Sequence, residues 1–253
     1  FRFGKEVRKV SKIKDKLLIN FADNTNDLVD FIIVSDGVFS NTKSTVENKI
    51  IKPRYNGSVA IRTVIKFSEE FNYESKNISL IMFPNAHVVI YPINKRNDFN
   101  LVCIAREKFS QNYDIHSIIK KKILSKNKNL ENLFKSDLNL WPVYVSKKPI
   151  KSIYENVFYL GDAFYTFVPA LAQGASQSIE AAYELFNLLS DNKKNIQNIY
   201  FKKRLIRTNQ INKRSKFNYF GFHISNPLLE NLRNFFLKRL VKNKNFILSY
   251  LGK

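Results

Sequence analysis

The chain has 253 residues, of which 44% are hydrophobic and 25% charged, which is typical of a folded globular protein and excludes an intrinsically disordered one. Its net charge of +21 is compatible with nucleic-acid binding, but the lysines are spread through every segment and no nucleic-acid-binding motif accompanies them, so we predict no nucleic-acid partner. No apolar run approaches the roughly 20 residues that span a bilayer, and the single cysteine, Cys103, excludes an internal disulfide and favours a reducing cytoplasm.

Residues 1–37 predict a hairpin followed by a buried strand. Val7–Ile13 and Lys16–Ala22 alternate apolar and polar residues on either side of Lys14-Asp15, as two paired strands do. Leu28–Ser35 is nearly continuously apolar, as expected of a buried strand, and it ends at Asp36-Gly37.

Residues 57–106 predict an antiparallel sheet. Strand-like runs in this region are separated by Asn, Pro and charged residues typical of loops; the runs are SVAIRTVIKF, ISLIMF, HVVIYPI and FNLVCIA. Ile115–Phe134 is rich in lysine and has helical spacing, and Trp141–Pro149 is expected to be extended.

A second strand ends in a glycine turn at Gly161-Asp162. The apolar run before it ends at Tyr159-Leu160, and Gly161 allows a tight turn or a close approach because it has no Cβ. Asp162 either presents its carboxylate to vicinal hydroxyls of a ligand or is an ordinary loop residue.

A helix is predicted after Pro169 and Gln173-Gly174. Its start, near Ala175-Ser176, would carry unpaired N–H groups and the positive end of the helix dipole, which stabilise an anionic group. Helical spacing predicts a core-facing side made of Ile179, Ala182, Tyr183, Phe186 and Leu189.

The two glycine turns, at Asp36-Gly37 and Gly161-Asp162, flank the antiparallel block. This order predicts an α/β domain of the nucleotide-binding type that is interrupted by an inserted, mostly antiparallel domain.

These turns carry a resemblance to a known family. The second turn resembles the Gly-Asp motif of the FAD-dependent aromatic hydroxylases with the p-hydroxybenzoate hydroxylase fold; the matching residues are Gly161, Asp162, Ala163, Pro169, Gln173, Gly174 and Glu180. The first turn resembles the family's second motif at Asp36, Gly37 and Ser40. Four further segments resemble its salicylate hydroxylase-like branch: Tyr55–Arg62, His87–Ile93, Trp141–Tyr144 and Arg204–His223.

The chain departs from the family pattern at several positions. Lys43 stands where the family has Arg, Phe164 where it has Ala, Tyr165 where it has His, and Ala172 where it has Gly. The family's N-terminal βαβ unit with GxGxxG, which would hold the ADP half of FAD, has no counterpart. Because the chain begins at Phe1 and not at a methionine, we expect an N-terminal portion to be missing and do not expect tight FAD binding by this chain alone.

The resemblance implies a fold and a domain order. The fold is α/β (α+β), with a Rossmann-like FAD/NAD(P)-binding domain that is incomplete at its N-terminus, an inserted antiparallel substrate domain and C-terminal helices. The expected parts are 1–50 and 151–190 for the FAD-binding domain, 51–150 for the substrate domain and 191–253 for the C-terminal helices.

The resemblance also implies an activity and its cofactors. Enzymes of this family hydroxylate phenols or aromatic acids with FAD, NADH or NADPH, and O₂, through a flavin C4a-hydroperoxide. The residues that this assigns to cofactor binding are Asp36, Gly37, Gly161, Asp162, Pro169, Gln173, Gly174, Ala175 and Ser176.

Three residues are candidates for the chemistry: His87, Tyr91 and Gln173. Alternation along a strand puts His87, Val89 and Tyr91 on one face, and the resemblance places His87 and Tyr91 in the substrate pocket. The alternatives are a solvent-exposed His87 at a strand start and a Gln173 that caps its loop. No two histidines have metal-ligand spacing, so we predict no metal.

Two other functions stay open. One is a hydroxylase of the ubiquinone-biosynthesis type at a membrane surface, and the other is a degenerate, non-catalytic flavoprotein-like domain. The C-terminal sequence is basic and amphipathic, with Leu228, Leu232, Phe235, Phe236 and Leu240 against Arg233, Lys238, Arg239 and Lys242. We expect this helix to pack on its own protein and regard membrane contact as the less favoured alternative.

Overall fold

The computed structural model describes four ranges of the chain: 1–66, 77–93, 98–191 and 194–240. It divides into two compact units, which are considered separately. Unit 1 comprises Phe1–Asn56 and Tyr144–Phe217, and unit 2 comprises Gly57–Val143 and Asn218–Lys253. Lys242 of the amphipathic C-terminal pattern lies outside the described residues.

Unit 1 begins with a three-stranded antiparallel sheet, whose strands are β1 (Val7–Ile13), β2 (Lys16–Phe21) and β3 (Asn26–Val29) in that spatial order. The predicted hairpin is confirmed, because β1 and β2 pair antiparallel and Ile13 pairs with Lys16 across the turn. Leu17 is completely buried.

The predicted buried strand over Leu28–Ser35 is wrong. The apolar run divides at Asp30 between β3 and a short strand β4 (Ile32–Val34), which pairs in parallel with β10 (Val157–Tyr159). The two strands belong to different sheets. Because side chains alternate along a strand and β4 buries one face only, Val34 is 3% exposed whereas Ile33 is 44% exposed.

Two long helices belong to unit 1: α3 (Gly174–Ser190) and most of α4 (Ile196–Phe222). They pack around a cluster made of Phe158, Leu185, Leu188 and Tyr200. The helix predicted after Gln173-Gly174 is confirmed, but its predicted core-facing side is wrong. Ile179, Tyr183 and Phe186 are exposed, and the buried residues are Gln177, Ala181, Leu185 and Leu188. Because α3 is apolar on more than one side, spacing alone does not select the packed side.

Unit 2 is built on a five-stranded sheet in the order β6-β7-β8-β5-β9. Its strands are β5 (Arg54–Lys66), β6 (Ser79–Phe83), β7 (Ala86–Ile93), β8 (Asp98–Arg106) and β9 (Asn139–Val145). The pairings β6–β7, β7–β8 and β5–β8 are antiparallel, which confirms the predicted sheet.

One face of this sheet is covered by helical segments and forms the core of unit 2. These segments are α2 (Ile115–Ile119), a π-helical turn over Lys120–Leu124 and a 3₁₀-helix over Lys128–Phe134. Val88 and Ile90 of β7 point into this core. His87, Val89 and Tyr91 therefore lie on the opposite face, as their alternation predicts.

The last described helix, α5 (Pro227–Leu240), presents its apolar side outward. Leu228 is 80% exposed, and Leu232, Phe235 and Phe236 are each about half exposed. The inward side carries Arg233, whose guanidinium donates to the Gly221 carbonyl at 3.1 Å. The expectation that the apolar side of this helix packs on its own protein is wrong for the described residues. No helix that the structure describes is both long and apolar enough to cross a membrane.

Candidate functional site

The Gly161-Asp162 turn follows directly from the end of β10. Gly161 has a φ of +59°, and a Cβ at this position would lie 2.8 Å from the Ser178 hydroxyl oxygen on α3. The N–H groups of Phe164 and Tyr165 donate to the Gly161 carbonyl at 3.0 Å each, closing a 3₁₀ turn. Both the positive φ and the close approach of the helix require glycine here.

The start of α3 is open and uncapped. Gln173 occupies the cap position without forming a side-chain hydrogen bond, and the first turn carries no acidic residue. Gly174, Ala175 and Ser176 are exposed, and the space beside Gly174 is empty. Their backbone N–H groups have no carbonyl one turn earlier in the helix to bind, so this helix end can stabilise an anionic group.

Asp162 lies on the exposed side of the same turn. The residue as a whole is exposed, but neighbouring atoms shield its carboxyl group in part from water. This partial desolvation raises the pKa of Asp162. The cavity that Asp162 lines together with Gly161, Phe164 and Gly174 has a volume of only about 10 Å³. A fused ring system does not fit inside it, so the residues fit an anionic group on the outer side of the helix start and not one within this cavity.

The Asp36-Gly37 motif builds the start of a short helix, α1 (Asn41–Val46). The Asp36 carboxylate accepts from the Thr42 N–H at 3.2 Å, and the Ser40 hydroxyl oxygen accepts from the Lys43 N–H at 2.9 Å. Gly37 has a φ of +86°, which favours glycine. These contacts give Asp36 and Ser40 a structural role as helix caps.

Lys43 joins the two motifs. Its Nζ donates to the Ala163 carbonyl, in the Gly-Asp turn, at 2.6 Å. Burial lowers the pKa of Lys43, and the nearby carboxylates of Asp36 and Glu47 oppose that effect. At this position the family has arginine, whose guanidinium can donate two parallel hydrogen bonds. The lysine ammonium makes one hydrogen bond here, to the Ala163 carbonyl.

Two other departures from the family pattern have a structural account. Tyr165, where the family has histidine, is 8% exposed and packs edge-on against Phe167, and burial raises its pKa. Phe164 packs against Tyr200 and Phe201 of α4. Both aromatic side chains are thus part of the core of unit 1.

Glu180, the last residue matched in the Gly-Asp motif, anchors α4 to α3. Its carboxylate accepts from Arg204 at 2.8 Å and from Arg207 at 2.9 Å, and these hydrogen bonds lower its pKa against the effect of desolvation. Arg204 is almost completely buried and also donates to the Gln177 side-chain oxygen at 2.9 Å. We did not predict this network, although Glu180 and Arg204 both belong to segments that resemble the family.

The candidate base His87 lies in unit 2 and is buried. It is 1% exposed, so the alternative of a solvent-exposed histidine is wrong. Its Nδ1 lies 2.7 Å from Nε2 of His223, and its ring packs edge-on against Phe222. Desolvation lowers the pKa of His87 to about 4. Desolvation, then repulsion by His87 and Arg106, lowers the pKa of His223 to about 3.

The other two candidates for the chemistry are Tyr91, in unit 2, and Gln173, in unit 1. Tyr91 is partly buried, and its hydroxyl oxygen accepts from the Asn100 amide at 2.6 Å. Gln173 is in unit 1, where its backbone carbonyl accepts from the Gln177 N–H at 2.9 Å and its side chain does not cap α3. Pro169 is exposed on the loop before Gln173. Within the described ranges, no cluster of three or more His, Cys, Asp or Glu side chains could hold a metal ion.

The chain is similar in sequence to curated aromatic hydroxylases. It is 24% identical over 236 residues to 3-amino-4-hydroxybenzoate 2-monooxygenase of Streptomyces cremeus, covering 87% of this chain and 57% of that protein. It is 21% identical over 223 residues to salicylate hydroxylase of Pseudomonas putida, covering 78% of this chain and 51% of that protein. The chain therefore spans somewhat more than half the length of these relatives. No family model matches it.

Solved structures share its fold. Klebsiella pneumoniae HpxO, in a complex with FAD and uric acid, matches with a TM-score of 0.81 at 17% identity, over 99% of this chain and 65% of that one. A salicylate hydroxylase substrate complex matches with a TM-score of 0.75 at 18% identity, over 96% and 68% of the two chains. The chain thus has the mixed α/β fold of these solved structures, and over most of its length it is similar in sequence to curated aromatic hydroxylases.

Proposed function

We propose that the protein containing this chain is an FAD-dependent monooxygenase that hydroxylates a phenolic or aromatic-acid substrate with NAD(P)H and O₂. The observation that carries the proposal is the bond from Lys43 to the Ala163 carbonyl, which joins the two family motifs beside the open start of α3. The names of the sequence relatives, hydroxylases of benzoates, support the class of substrate.

Residues of unit 1 would hold the cofactor. Bound FAD would accept electrons from NAD(P)H and would activate O₂. The backbone N–H groups of Gly174, Ala175 and Ser176 would stabilise an anionic edge of the flavin, aided by the positive end of the helix dipole. The Asp162 carboxylate would accept hydrogen bonds from cofactor hydroxyls, and Asp36-Gly37 would face phosphate groups.

Residues of unit 2 would prepare the aromatic ring. Because desolvation lowers the pKa of His87 to about 4, the imidazole is neutral at pH 7 and can accept a hydrogen bond from a phenol. Full transfer of the phenol proton, which makes the ring more electron-rich, would require the bound substrate to raise that pKa. Because Nδ1 of His87 is bound to His223, Nε2 would meet the substrate. Tyr91, whose hydroxyl accepts from Asn100, keeps its own proton for donation to a substrate oxygen. Since His87 is 1% exposed, access to it would require movement of a covering side chain such as Phe222.

The test is FAD binding and aromatic-dependent turnover, measured on the chain and on the longest reading frame that contains it. Flavin absorbance and fluorescence report binding, and NAD(P)H oxidation with product detection reports hydroxylation of salicylate, 4-hydroxybenzoate and 3-amino-4-hydroxybenzoate. Hydroxylated product formed only with flavin, NAD(P)H and O₂ supports the proposal. FAD binding without turnover on any ring favours a non-catalytic flavoprotein, and absence of flavin binding in both forms overturns the proposal.

A second candidate is a hydroxylase that acts on a prenylated ring at a membrane surface. The outward apolar side of α5, with Leu228 80% exposed, favours it. The distinguishing measurement compares hydroxylation of a short-chain prenylated phenol with that of 4-hydroxybenzoate, in the presence and absence of lipid vesicles. A preference for the prenylated ring that requires vesicles supports this candidate.

A further inference from the structure

Unit 1 contains a cavity of about 440 Å³ that none of the residues assigned to catalysis or cofactor binding lines. Its walls come mainly from two short segments, 49–53 and 146–151, and are completed by Val38, which follows Asp36-Gly37, and by Lys43 of α1. Six lysines line it: Lys43, Lys49, Lys52, Lys147, Lys148 and Lys151. No Asp or Glu is among its lining residues.

Two of these lysines already have partners, and four do not. Lys43 donates to the Ala163 carbonyl, and Lys151 donates to the Asn198 side-chain oxygen. The remaining four are exposed and form no ion pair with any carboxylate that the structure describes; they are Lys49, Lys52, Lys147 and Lys148. Ammonium groups gathered around one cavity repel each other, so an anion that neutralises them gains free energy on binding.

The rest of the lining is apolar and locally stiff. Ile51 and Ile150 contribute aliphatic surface, and each lysine-bearing segment contains one proline, Pro53 or Pro149, which restricts its backbone. The volume lies within the range of roughly 300–1,000 Å³ that is usual for small-molecule sites. The cavity therefore suits a compact ligand with several negative charges next to a less polar portion.

We propose that this cavity binds a phosphate-bearing ligand of nucleotide size. Phosphate groups carry more charge than a single carboxylate and match four unpaired ammonium groups, since lysine binds phosphate as a point charge. The concave shape, bounded by two short segments, favours a small molecule over a nucleic-acid strand, which needs an extended basic surface.

The identity of the ligand can be narrowed where the proposed function holds. NAD(P)H is then required as the reductant, and its phosphate groups are anions of the kind proposed to bind in this lysine-lined cavity. This identification rests on the proposed function, whereas phosphate binding does not. NADPH, with its additional 2′-phosphate, is expected to bind at least tenfold more tightly than NADH.

The experiment is calorimetric titration of the chain with pyrophosphate, ADP, NADH and NADPH, without FAD or aromatic substrate. A paired charge reversal, Lys52→Glu with Lys147→Glu, is expected to weaken binding of ADP and NADPH at least tenfold. The matched control is Lys9→Glu with Lys12→Glu on β1, which makes the same change in net charge away from the cavity and should alter binding less than twofold. The neutral pair Lys52→Gln with Lys147→Gln should give an intermediate loss, and thermal melts check that each variant folds.

Equal losses in the cavity and control variants would show general attraction to a basic protein and overturn the site. Tighter binding of a single-stranded oligonucleotide, with displacement of ADP, would also overturn it in favour of a nucleic-acid surface. Pyrophosphate binding as tight as NADPH supports the phosphate site but overturns its identification with the reductant. Binding of ADP or NADPH that depends on the cavity lysines, without turnover in the hydroxylation assay, would count against the proposed function but would still support the phosphate site.

Discussion

Nδ1 of His87 lies 2.7 Å from Nε2 of His223, so two buried imidazoles share one hydrogen bond across 136 positions of sequence. One nitrogen donates and the other accepts, and the tautomer of each ring therefore depends on the other. An additional proton on either ring would place a cation in a buried site that also faces Arg106 and the ring of Tyr219. Protonation of either ring therefore destabilises the arrangement.

The first prediction is that acid destabilises the protein through this pair. The pKa of His87 is lowered from 6.5 to about 4 and that of His223 to about 3, so the unfolded chain binds more protons between about pH 3 and 6.5. The stabilisation is complete above pH 6.5 and decreases as the pH falls through this window. For His87 alone the loss is on the order of 3 kcal/mol. Urea unfolding at a series of pH values measures it.

The matched control for this prediction is His116, which is exposed. Replacement of His116 by Asn should leave the pH dependence of the unfolding free energy unchanged. Paired replacement of His87 by Leu and His223 by Phe should flatten it between pH 4 and 6.5. A wild-type slope that survives in the paired variant would assign the acid sensitivity to carboxyl groups instead.

The second prediction concerns hydroxylation. If His87 accepts the phenol proton, His87→Ala lowers kcat for an aromatic substrate by a factor of roughly 10²–10⁴, the usual contribution of a general base. The loss should shrink as the pH approaches the pKa of the phenol, because the substrate then ionises without help. Product formation is followed across pH 6–10 for wild type, His87→Ala and the control His116→Ala. Unchanged turnover of His87→Ala at every pH would remove His87 from the mechanism.

The third prediction tests the contact between Gly161 and α3. Gly161→Ala should destabilise unit 1 by roughly 2 kcal/mol or more, because an L-residue at positive φ costs about 1–2 kcal/mol and its Cβ would also meet the Ser178 hydroxyl oxygen, 2.8 Å away. Adding Ser178→Ala should recover the steric part of the loss and leave the backbone strain. The free energy of unfolding of the four members of this cycle separates the two contributions.

Gly174→Ala is the control for that cycle. The space beside Gly174 is empty and its φ is not positive, so alanine should be tolerated or slightly stabilising in the helix. A loss at Gly174 as large as that at Gly161 would contradict the explanation from close approach.

Local signals in the sequence were sufficient for the parts of the fold that depend on neighbouring residues. Alternation around Lys14-Asp15 predicted the hairpin, and the glycine at 161 predicted the tight turn. The split of Leu28–Ser35 at Asp30 was missed because continuous apolarity does not tell one strand from two short ones. The buried side of α3 was missed because its packing partner, α4, begins at Ile196, outside any local window.

The site was predicted less completely than the fold, for a related reason. The motifs identified Asp162 and Gly174, but the bond from Lys43 to Ala163 joins residues 120 positions apart. The pairing of His87 with His223 likewise depends on where the end of α4 meets the sheet of unit 2. Spacing along the chain carries no signal for contacts of this kind.

The fourth prediction follows from Ala172, which has a φ of +52° where the family has glycine. This conformation costs an L-residue about 1–2 kcal/mol, and glycine removes that cost. Glycine also lowers the free energy of unfolding by roughly 0.4–1 kcal/mol, because it increases the conformational entropy of the unfolded chain. Ala172→Gly should therefore raise the free energy of unfolding by about 0.5 kcal/mol. The control Ala182→Gly, at an exposed position inside α3, should lower it by about 1 kcal/mol. Equal losses in the two variants would argue against strain at Ala172.

The last prediction concerns the outward apolar side of α5. An exposed row of Leu228, Leu232, Phe235 and Phe236 beside Lys238 and Arg239 matches an anionic bilayer, which offers both an apolar layer and negative charge. We expect the protein to sediment with vesicles of phosphatidylcholine containing about a third phosphatidylserine. Binding should weaken as salt is raised, because the charged part of the attraction is screened.

Two paired variants give this experiment its control. Leu232→Ser with Phe235→Ser should reduce the fraction bound at least tenfold. Ile179→Ser with Tyr183→Ser, which removes two still more exposed apolar residues from α3, should not. A similar loss in both pairs would show unspecific adhesion of apolar surface. A dimer that forms without lipid and is abolished by the α5 pair would instead identify a second copy of the chain as the partner of this helix, since burial of the same four side chains would then occur between proteins.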